Sequence, residues 1–299
     1  MKKLLFALLH AAGLTAFVAW WYRKRVVFLC YHGVTKLTAR SPEDPKGLHV
    51  NADRFAMHLD FMQRHYYVIP LREYINAQRH ATSLPEYSLV LTFDDGFRNF
   101  LTVAAPMLAA RNLPATVFLI TDKAGEECGD DLPSTWTPED DKRYLSWAEV
   151  RTLKQEQGIQ FGSHTCSHLE LLTLSTEDTN RELLNSYNDL VSNVTVETPT
   201  LSYPKGQYST LLANEARKVG YACAVTTDQG PNHINHDLYT LGRTLIGDND
   251  DKASFAVRVS GLRWWLVKAL NFVIPGREKP LRTQDRYPEV TKICETPNS

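Results

Sequence analysis

Residues 89–96 read Leu-Val-Leu-Thr-Phe-Asp-Asp-Gly, and they constrain the fold more than any other stretch of the chain. An unbroken run of Leu, Val and Phe marks a strand buried on both faces, as in a parallel sheet. That strand would end at Asp94 and Asp95. Adjacent carboxylates repel, so a cation, a basic side chain or a shared proton must compensate them. The plainer alternative is a turn, because Asp-Gly is a common turn dipeptide.

The same pattern recurs along the chain. Val26–Tyr31 is a compact β-type run that His32-Gly33 breaks, so His32 stands to its strand as Asp94 stands to its own. Further strands are expected at 66–69, 115–120, 159–162, 200–203, 221–226 and 239–246. Helical spacing fills the intervals 51–64, 71–79, 102–111, 145–157, 176–191 and 211–219, and Ser146 with Glu149 forms a capping box. Residues 121–143 turn polar and acidic, a long excursion of the kind that often carries function. Alternating strands and helices imply βαβ units and a parallel sheet. His32, Asp94, Asp95, His164, His168 and Tyr203 all fall just after strands. In a (β/α) barrel such positions converge on one mouth, and in an open doubly wound sheet they gather at one edge. No Gly-x-Gly-x-x-Gly follows a strand and no Walker loop is present, so a nucleotide site has no support.

With 299 residues and 43% apolar content the chain can bury a full-sized core. The 33 Lys and Arg nearly balance 34 Asp and Glu, which excludes a basic nucleic-acid footprint. Five scattered cysteines without a CxxC pair make neither a disulfide framework nor a thiolate zinc site. Near the N-terminus, Lys2-Lys3 precedes a run from Leu4 to Tyr22 broken only by His10 and ending in Trp20-Trp21-Tyr22, then Arg23-Lys24-Arg25. At about 19 residues the run approaches the roughly 20 needed to span a bilayer. Phe17 and Ala19 make a poor small-x-small cleavage site, so an uncleaved anchor over 1–25 is expected rather than a cleavable signal peptide. Basic residues at both ends leave its orientation undecided.

His164 and His168 are four apart, close enough on a helical turn or tight loop for both imidazoles to reach one ion. Two imidazoles and a carboxylate make a three-ligand site with an open position, the arrangement of a catalytic divalent metal. One of the paired aspartates would ligate and the other would act as general base. Cys166 is expected to point away into packing, where free cysteines usually lie.

The motifs Thr92-Phe93-Asp94-Asp95-Gly96, Ser163-His164-Thr165-Cys166-Ser167-His168 and Ser202-Tyr203-Pro204-Lys205-Gly206 together resemble those of the polysaccharide deacetylases, carbohydrate esterase family 4. Tyr31-His32, Tyr144-Leu145-Ser146-Trp147 and Gly220-Tyr221 add to the resemblance, which spans roughly residues 26–246. It implies an α/β fold with a distorted (β/α)7-type barrel over 26–250. It further implies Asp94 as the catalytic base, and Asp95, His164 and His168 as ligands of a divalent metal, most often Zn2+. Tyr203 would supply its backbone N–H to the developing oxyanion. The implied reaction is hydrolysis of an N-acetyl amide by a metal-activated water.

Two departures from the family pattern stand out. Many members hold the base with an arginine in the Tyr-Pro motif, whereas Leu201 and Ser202 precede Tyr203 here; Arg243 is the expected substitute. The late Leu-His motif that supplies a general acid is absent, leaving His32, His233 or His236 for that role. In the C-terminal part, 251–299, the stretch Ser254–Pro275 reads as a basic helix with a Trp-rich side, either packed on the barrel or lying in a membrane interface. The tail beyond Gly276 reads as loosely ordered. An anchor and such a helix would keep the site near a bilayer, with the catalytic domain expected outside the cytoplasm. The substrate would then be an N-acetylated polysaccharide or a lipid-linked amino sugar. An O-acetyl esterase would need the same water without a strongly basic leaving amine, and a membrane-tethered glycan-binding protein would need no reaction at all.

Overall fold

The computed structural model describes residues 2–38, 47–125, 135–156 and 158–273. The N-terminal run forms α1 (Lys2–Ala11) and α2 (Leu14–Trp21), which meet at 72°. Gly13, at φ 74°, makes the break. No single described helix is long and apolar enough to cross a membrane; this bent pair passes that test by length and composition only. Thereafter come β1 (Val27–Tyr31), β2 (Gly33–Thr35), β3 (His49–Asn51), α3 (Ala52–His65), β4 (Tyr67–Val68), α4 (Leu71–Arg79), β5 (Ser88–Phe93), α5 (Ala105–Ala109), β6 (Ala115–Leu119) and α6 (Thr121–Gly125). The second half adds α7 (Trp147–Gln155), β7 (Ile159–Ser163), α8 (Thr176–Val194), β8 (Thr200–Ser202), α9 (Thr210–Val219), β9 (Cys223–Val225), β10 (Thr244–Leu245), α10 (Lys252–Val259) and α11 (Leu262–Val273).

Seven strands pair in the order β10-β1-β5-β6-β7-β8-β9, every pair parallel, with β4 added alongside β5. A parallel bridge from Val225 to Leu241 curls the sheet back toward β10. The result is an α/β fold with a curled parallel sheet, in the manner of a (β/α) barrel. Strand periodicity then sorts the side chains. Val27, Leu29, Tyr31, Leu89, Leu91 and Phe93 face outward into the layer shared with α3 and the helices beside it. Phe28, Val90, Phe118 and Val225 face inward with Leu71, Tyr74 and Ile75 of α4, which close the lower end. One step further up the same inward rows come Cys30, Thr92 and Ser202, and the interior becomes polar there.

Several expectations shift by local causes. The helix expected over 102–111 is a wide turn at Phe100–Ala104 followed by α5, because Pro106 has no N–H to close an ordinary turn. The strand expected over 239–246 shrinks to β10. The Asn232 side chain takes both backbone groups of Gly242, at 2.8 and 2.9 Å, which removes them from any ladder. Gly261, at φ 79°, splits the expected C-terminal helix into α10 and α11. Phe255, Ala256 and Val257 of α10 are buried, so that half packs on the protein. The polar tail lies outside the described residues, as does the middle of the 121–143 excursion. The excursion's end is pinned: buried Arg98 pairs with Asp140 at 2.5 Å and with Glu149 at 2.7 Å. Glu149 also completes the capping box with Ser146.

Beneath β1, His58 is fully buried and stacked on Phe255 with ring centroids 4.0 Å apart. Its Nε2 lies 2.7 Å from the Asp250 carbonyl and its Nδ1 3.1 Å from the Tyr31 hydroxyl. A neutral ring meets both partners, donating from Nε2 and accepting at Nδ1. Burial accordingly lowers its pKa to about 4, only partly opposed by the Asp250 carbonyl. The folded chain thus refuses a proton that the unfolded chain takes up near the ordinary histidine value. Stability should be full above roughly pH 6.5 and fall toward about pH 4, by as much as about 3 kcal/mol from this group. Denaturant unfolding at several pH values should show a shallower slope over that window for His58→Phe than for the parent.

Candidate active site

The loops after β1, β5, β7 and β8 leave the upper end of the sheet together, and the residues singled out in the sequence meet there. Asp94 is buried just beyond β5, its N–H bonded to the Tyr31 carbonyl at 2.9 Å. Arg243 rises inside the barrel, fully buried, and grips Asp94 with two bonds of 2.7 Å, Nη1 to Oδ1 and Nη2 to Oδ2. Its other donors reach Thr226 O (3.0 Å), Thr92 Oγ1 (3.1 Å) and Ser202 Oγ (2.9 Å). All five guanidinium N–H groups therefore have acceptors. Burial would raise the Asp94 pKa, but the Arg243 charge, aided by His164, outweighs it and holds the carboxyl well below the usual carboxylate range. Asp94 is thus an ionised carboxylate whose orientation Arg243 fixes. Arg243 therefore stands against Asp94, where a substitute for the missing arginine was expected.

Two further groups touch Asp94 Oδ2: Cys30 Sγ at 3.3 Å and Ser202 Oγ at 3.2 Å. Neither was singled out as a partner of the base. The signal was present, since both lie on inward rows of β1 and β8, but a lone Cys or Ser in a strand carries no chemistry until its neighbours are known.

Asp95 takes the left-handed conformation at φ 72°, which swings its carboxylate away from Asp94 and toward the histidines. Its Oδ1 lies 3.5 Å from His164 Nε2 and 3.8 Å from His168 Nε2. The two rings stand nearly edge to face, with centroids 4.7 Å apart. Residues 164–168 form a tight loop, not a helical turn, with Thr165 and His168 also in the left-handed region, at φ 67° and 61°. Such positions cost about 1–3 kcal/mol each and persist only when the surroundings enforce them. Glu182 of α8 does so here, accepting from the Cys166 and Ser167 N–H groups at 3.1 and 2.9 Å.

The chemistry of this trio fits a divalent cation. His164 Nδ1 lies 2.7 Å from the Ser202 carbonyl, so Nδ1 carries the proton and Nε2 offers its lone pair to the site. Burial lowers the His164 pKa to about 4, against the attraction of Asp94, and keeps the ring an uncharged ligand. Burial, with repulsion from Asp94, pushes the Asp95 pKa up to about 7; Arg243 only partly offsets this. The ligating atoms of Asp95, His164 and His168 all lie within 4.8 Å of one another. A cation there would satisfy every one of them.

The remaining candidates divide. His32 stands beside the base: the donor atoms of Cys30, His32 and Asp94 lie within 4.8 Å of one another. Its Nδ1 is buried without a hydrogen-bond partner, and burial lowers its pKa to about 4. His233 and His236 lie elsewhere. The loop carrying them turns back to the strand starts, where Asn232 bridges Val26, and α4 holds both carbonyls through Tyr74 and Gln78. Tyr203 needs correction too, because its N–H continues the sheet ladder to the Val225 carbonyl at 3.2 Å and is not free for an oxyanion. Cys166 does point away from the histidines, but onto Asp122 at 3.0 Å and not into apolar packing.

Residues 81–224 match the family model described as polysaccharide deacetylase. A polysaccharide deacetylase-family protein of Bacillus subtilis (strain 168), YxkH, is 26% identical over 178 residues, covering 60% of this chain and 58% of that protein. A poly-β-1,6-N-acetyl-D-glucosamine N-deacetylase of Escherichia coli (strain K12) is 24% identical over 228 residues, covering 65% of this chain and 33% of that protein. The chain thus spans little more than half of the first relative and a third of the second. Among solved structures, the Streptococcus pyogenes deacetylase PplD in complex with acetate superposes with a TM-score of 0.66 at 26% identity, over 79% of this chain and 98% of that one.

Removing one member of a buried ion pair leaves the other uncompensated. Arg243→Met should therefore destabilise the fold by about 3–5 kcal/mol. Adding Asp94→Asn to Arg243→Met should recover a substantial part of that loss, as measured by denaturant unfolding of both variants.

Proposed function

We propose that this chain, which belongs to the polysaccharide deacetylase family, hydrolyses N-acetyl groups from an N-acetylated glycan in a metal-dependent reaction. One observation carries the reading: three convergent metal-ligating groups stand beside an aspartate that a buried arginine keeps ionised. A polymer of N-acetylhexosamine is the substrate class we favour, supported by the similarity to the Escherichia coli poly-β-1,6-N-acetyl-D-glucosamine N-deacetylase. Two imidazoles and a carboxylate suit zinc.

A zinc ion held by Asp95, His164 and His168 would acidify water and polarise the acetyl carbonyl. Asp94 accepts the proton of the attacking water. Its Oδ2 is the oxygen nearer the ion site, 3.9 Å from His164 Nε2, while Oδ1 is turned to Arg243 Nη1. Arg243 and Ser202 set its direction without competing for the proton, and the short reach from Asp94 to the ion site places base and carbonyl together. The water's proton must then reach the departing nitrogen. Neutral His32, with a ring nitrogen within 4.8 Å of an Asp94 oxygen, is the group we assign to relay the proton that Asp94 takes up, and it brings none of its own. Departure of an amine needs that proton far more than departure of a sugar hydroxyl from an O-ester.

The test is an assay of new primary amines on N-acetylglucosamine oligomers, peptidoglycan and lipid-linked amino sugars. The parent chain should release acetate and amine in equal amounts on at least one of them. Asp94→Asn should lower kcat by about 10²–10⁴-fold with little change in zinc content. Chelation should abolish activity and added zinc restore it, while His164→Ala should fail to retain zinc. Release of acetate only from O-acetylated glycans, or full activity of Asp94→Asn, would overturn the assignment.

A further inference from the structure

The two ends of the described chain meet away from the active site. Val18 and Tyr22 of the N-terminal segment are buried against Val257 of α10 and Leu262 of α11, with Phe6, Leu9 and Trp264 packed around them. The Tyr22 and Trp264 rings meet edge to face at 5.6 Å. On its far side this pair of helices is apolar and uncovered. Leu4, Leu5 and Leu8 of α1 are 67%, 50% and 60% exposed, and Phe17, Trp20 and Trp21 of α2 are 56%, 48% and 64% exposed. Trp265 of α11 adds a seventh large exposed side chain at 43%. A helix apolar all round requires non-aqueous cover on every side, and α1 has it on one.

We propose that α1, α2 and α11 form a membrane-docking surface that lies flat in one leaflet of an anionic bilayer, without crossing it. Charge chooses the occupant. Residues 1–25 and 261–273 contain no Asp or Glu but carry Lys3, Arg23, Lys24, Arg25, Arg263 and Lys268. Carboxylates near these groups are Glu86, paired with Arg23 at 3.1 Å, Asp251, which feels the charge of Lys3, and Asp250, which acts on Arg263. A second copy of the same face would bring like charges together and bury lysines that interface cores exclude. Anionic headgroups complement them, and tryptophans prefer the headgroup level.

Geometry excludes a span from this arrangement. At 1.5 Å per residue α1 and α2 measure roughly 15 and 12 Å, against about 30 Å of hydrocarbon. Joining them into one straight rod would require Gly13 to leave its left-handed conformation and α1 to leave α10. The far end of α2 is also tied down, through Arg23 to Glu86 and by the Tyr87 N–H bonded to the Arg23 carbonyl. Lying flat, the pair keeps all of these contacts and covers the exposed leucines and tryptophans. None of the residues assigned to hydrolysis takes part, so failure of either reading leaves the other standing.

The experiment uses the full chain, added to vesicles of phosphatidylcholine alone or with phosphatidylglycerol and collected by sedimentation. It should bind the anionic vesicles, and binding should fall about tenfold or more on neutral vesicles or in high salt. The triple variant Trp20→Ala, Trp21→Ala, Trp265→Ala should lose about tenfold or more in partitioning, with unchanged helicity and unchanged activity on a soluble substrate. Lys24→Glu with Lys268→Glu should remove the anionic preference without altering the apolar face. Alkaline carbonate should strip the chain from membranes. Retention in the carbonate pellet would show a span. Unchanged binding by the tryptophan variant, or self-association of the lipid-free chain that the same variant abolishes, would equally overturn the proposal.

Discussion

Everything at the upper end of the barrel depends on one buried ion pair. Asp94 and Arg243 are both removed from water, and each would be intolerable there alone. Together with Thr92, Ser202 and the Thr226 carbonyl they form a closed set in which every guanidinium donor is used. The pair also marks the level at which the interior changes character. Below it Phe28, Val90 and Phe118 fill the barrel, and the guanidinium stands 5.6 Å from the Phe118 ring. At and above it the inward rows of β1, β5 and β7 carry His32, Asp94 and His164, groups that can hydrogen-bond or ligate.

That boundary explains why two neighbouring aspartates have opposite electrostatics. Asp94 continues the inward row of β5 and meets Arg243. Asp95 would continue the outward row, but its left-handed backbone turns it toward His164 and His168 instead. The first carboxylate is held ionised by a permanent cation. The second has no equivalent partner, and burial beside Asp94 pushes its pKa up to about 7. The left-handed residues at 95, 165 and 168 are thus the conformational cost of bringing Asp95, His164 and His168 together from two loops.

Much of this was legible in the sequence. Apolar runs ending in polar residues gave the strands, the Ser146–Glu149 box fixed a helix start, and the spacing of His164 and His168 marked two imidazoles that converge. What stayed hidden involves contacts between residues far apart in the chain. Cys30 and Ser202 became partners of Asp94 only through registry between β1, β5 and the strands beyond. The N–H of Tyr203 is lost to the site because β8 pairs with β9 up to that residue. His233 and His236 sit at the wrong end because Asn232 binds the start of β1, a bond no local pattern announces.

By itself the sequence determined the strand-and-helix alternation, the candidate ligand trio and the presence of a spare arginine. These follow from short-range chemistry: periodicity, capping and the few side chains able to bind a metal. Only the tertiary structure decided which acid the arginine holds, which backbone donors remain free, and how the N-terminal apolar run lies. The reason is the same in each case. Burial and long-range pairing set the protonation and availability of a group, and both depend on neighbours that are distant in sequence. The run from Leu4 to Tyr22 has the length of a membrane span, yet Gly13 and the packing of Val18 and Tyr22 against α10 and α11 fold it back on the protein.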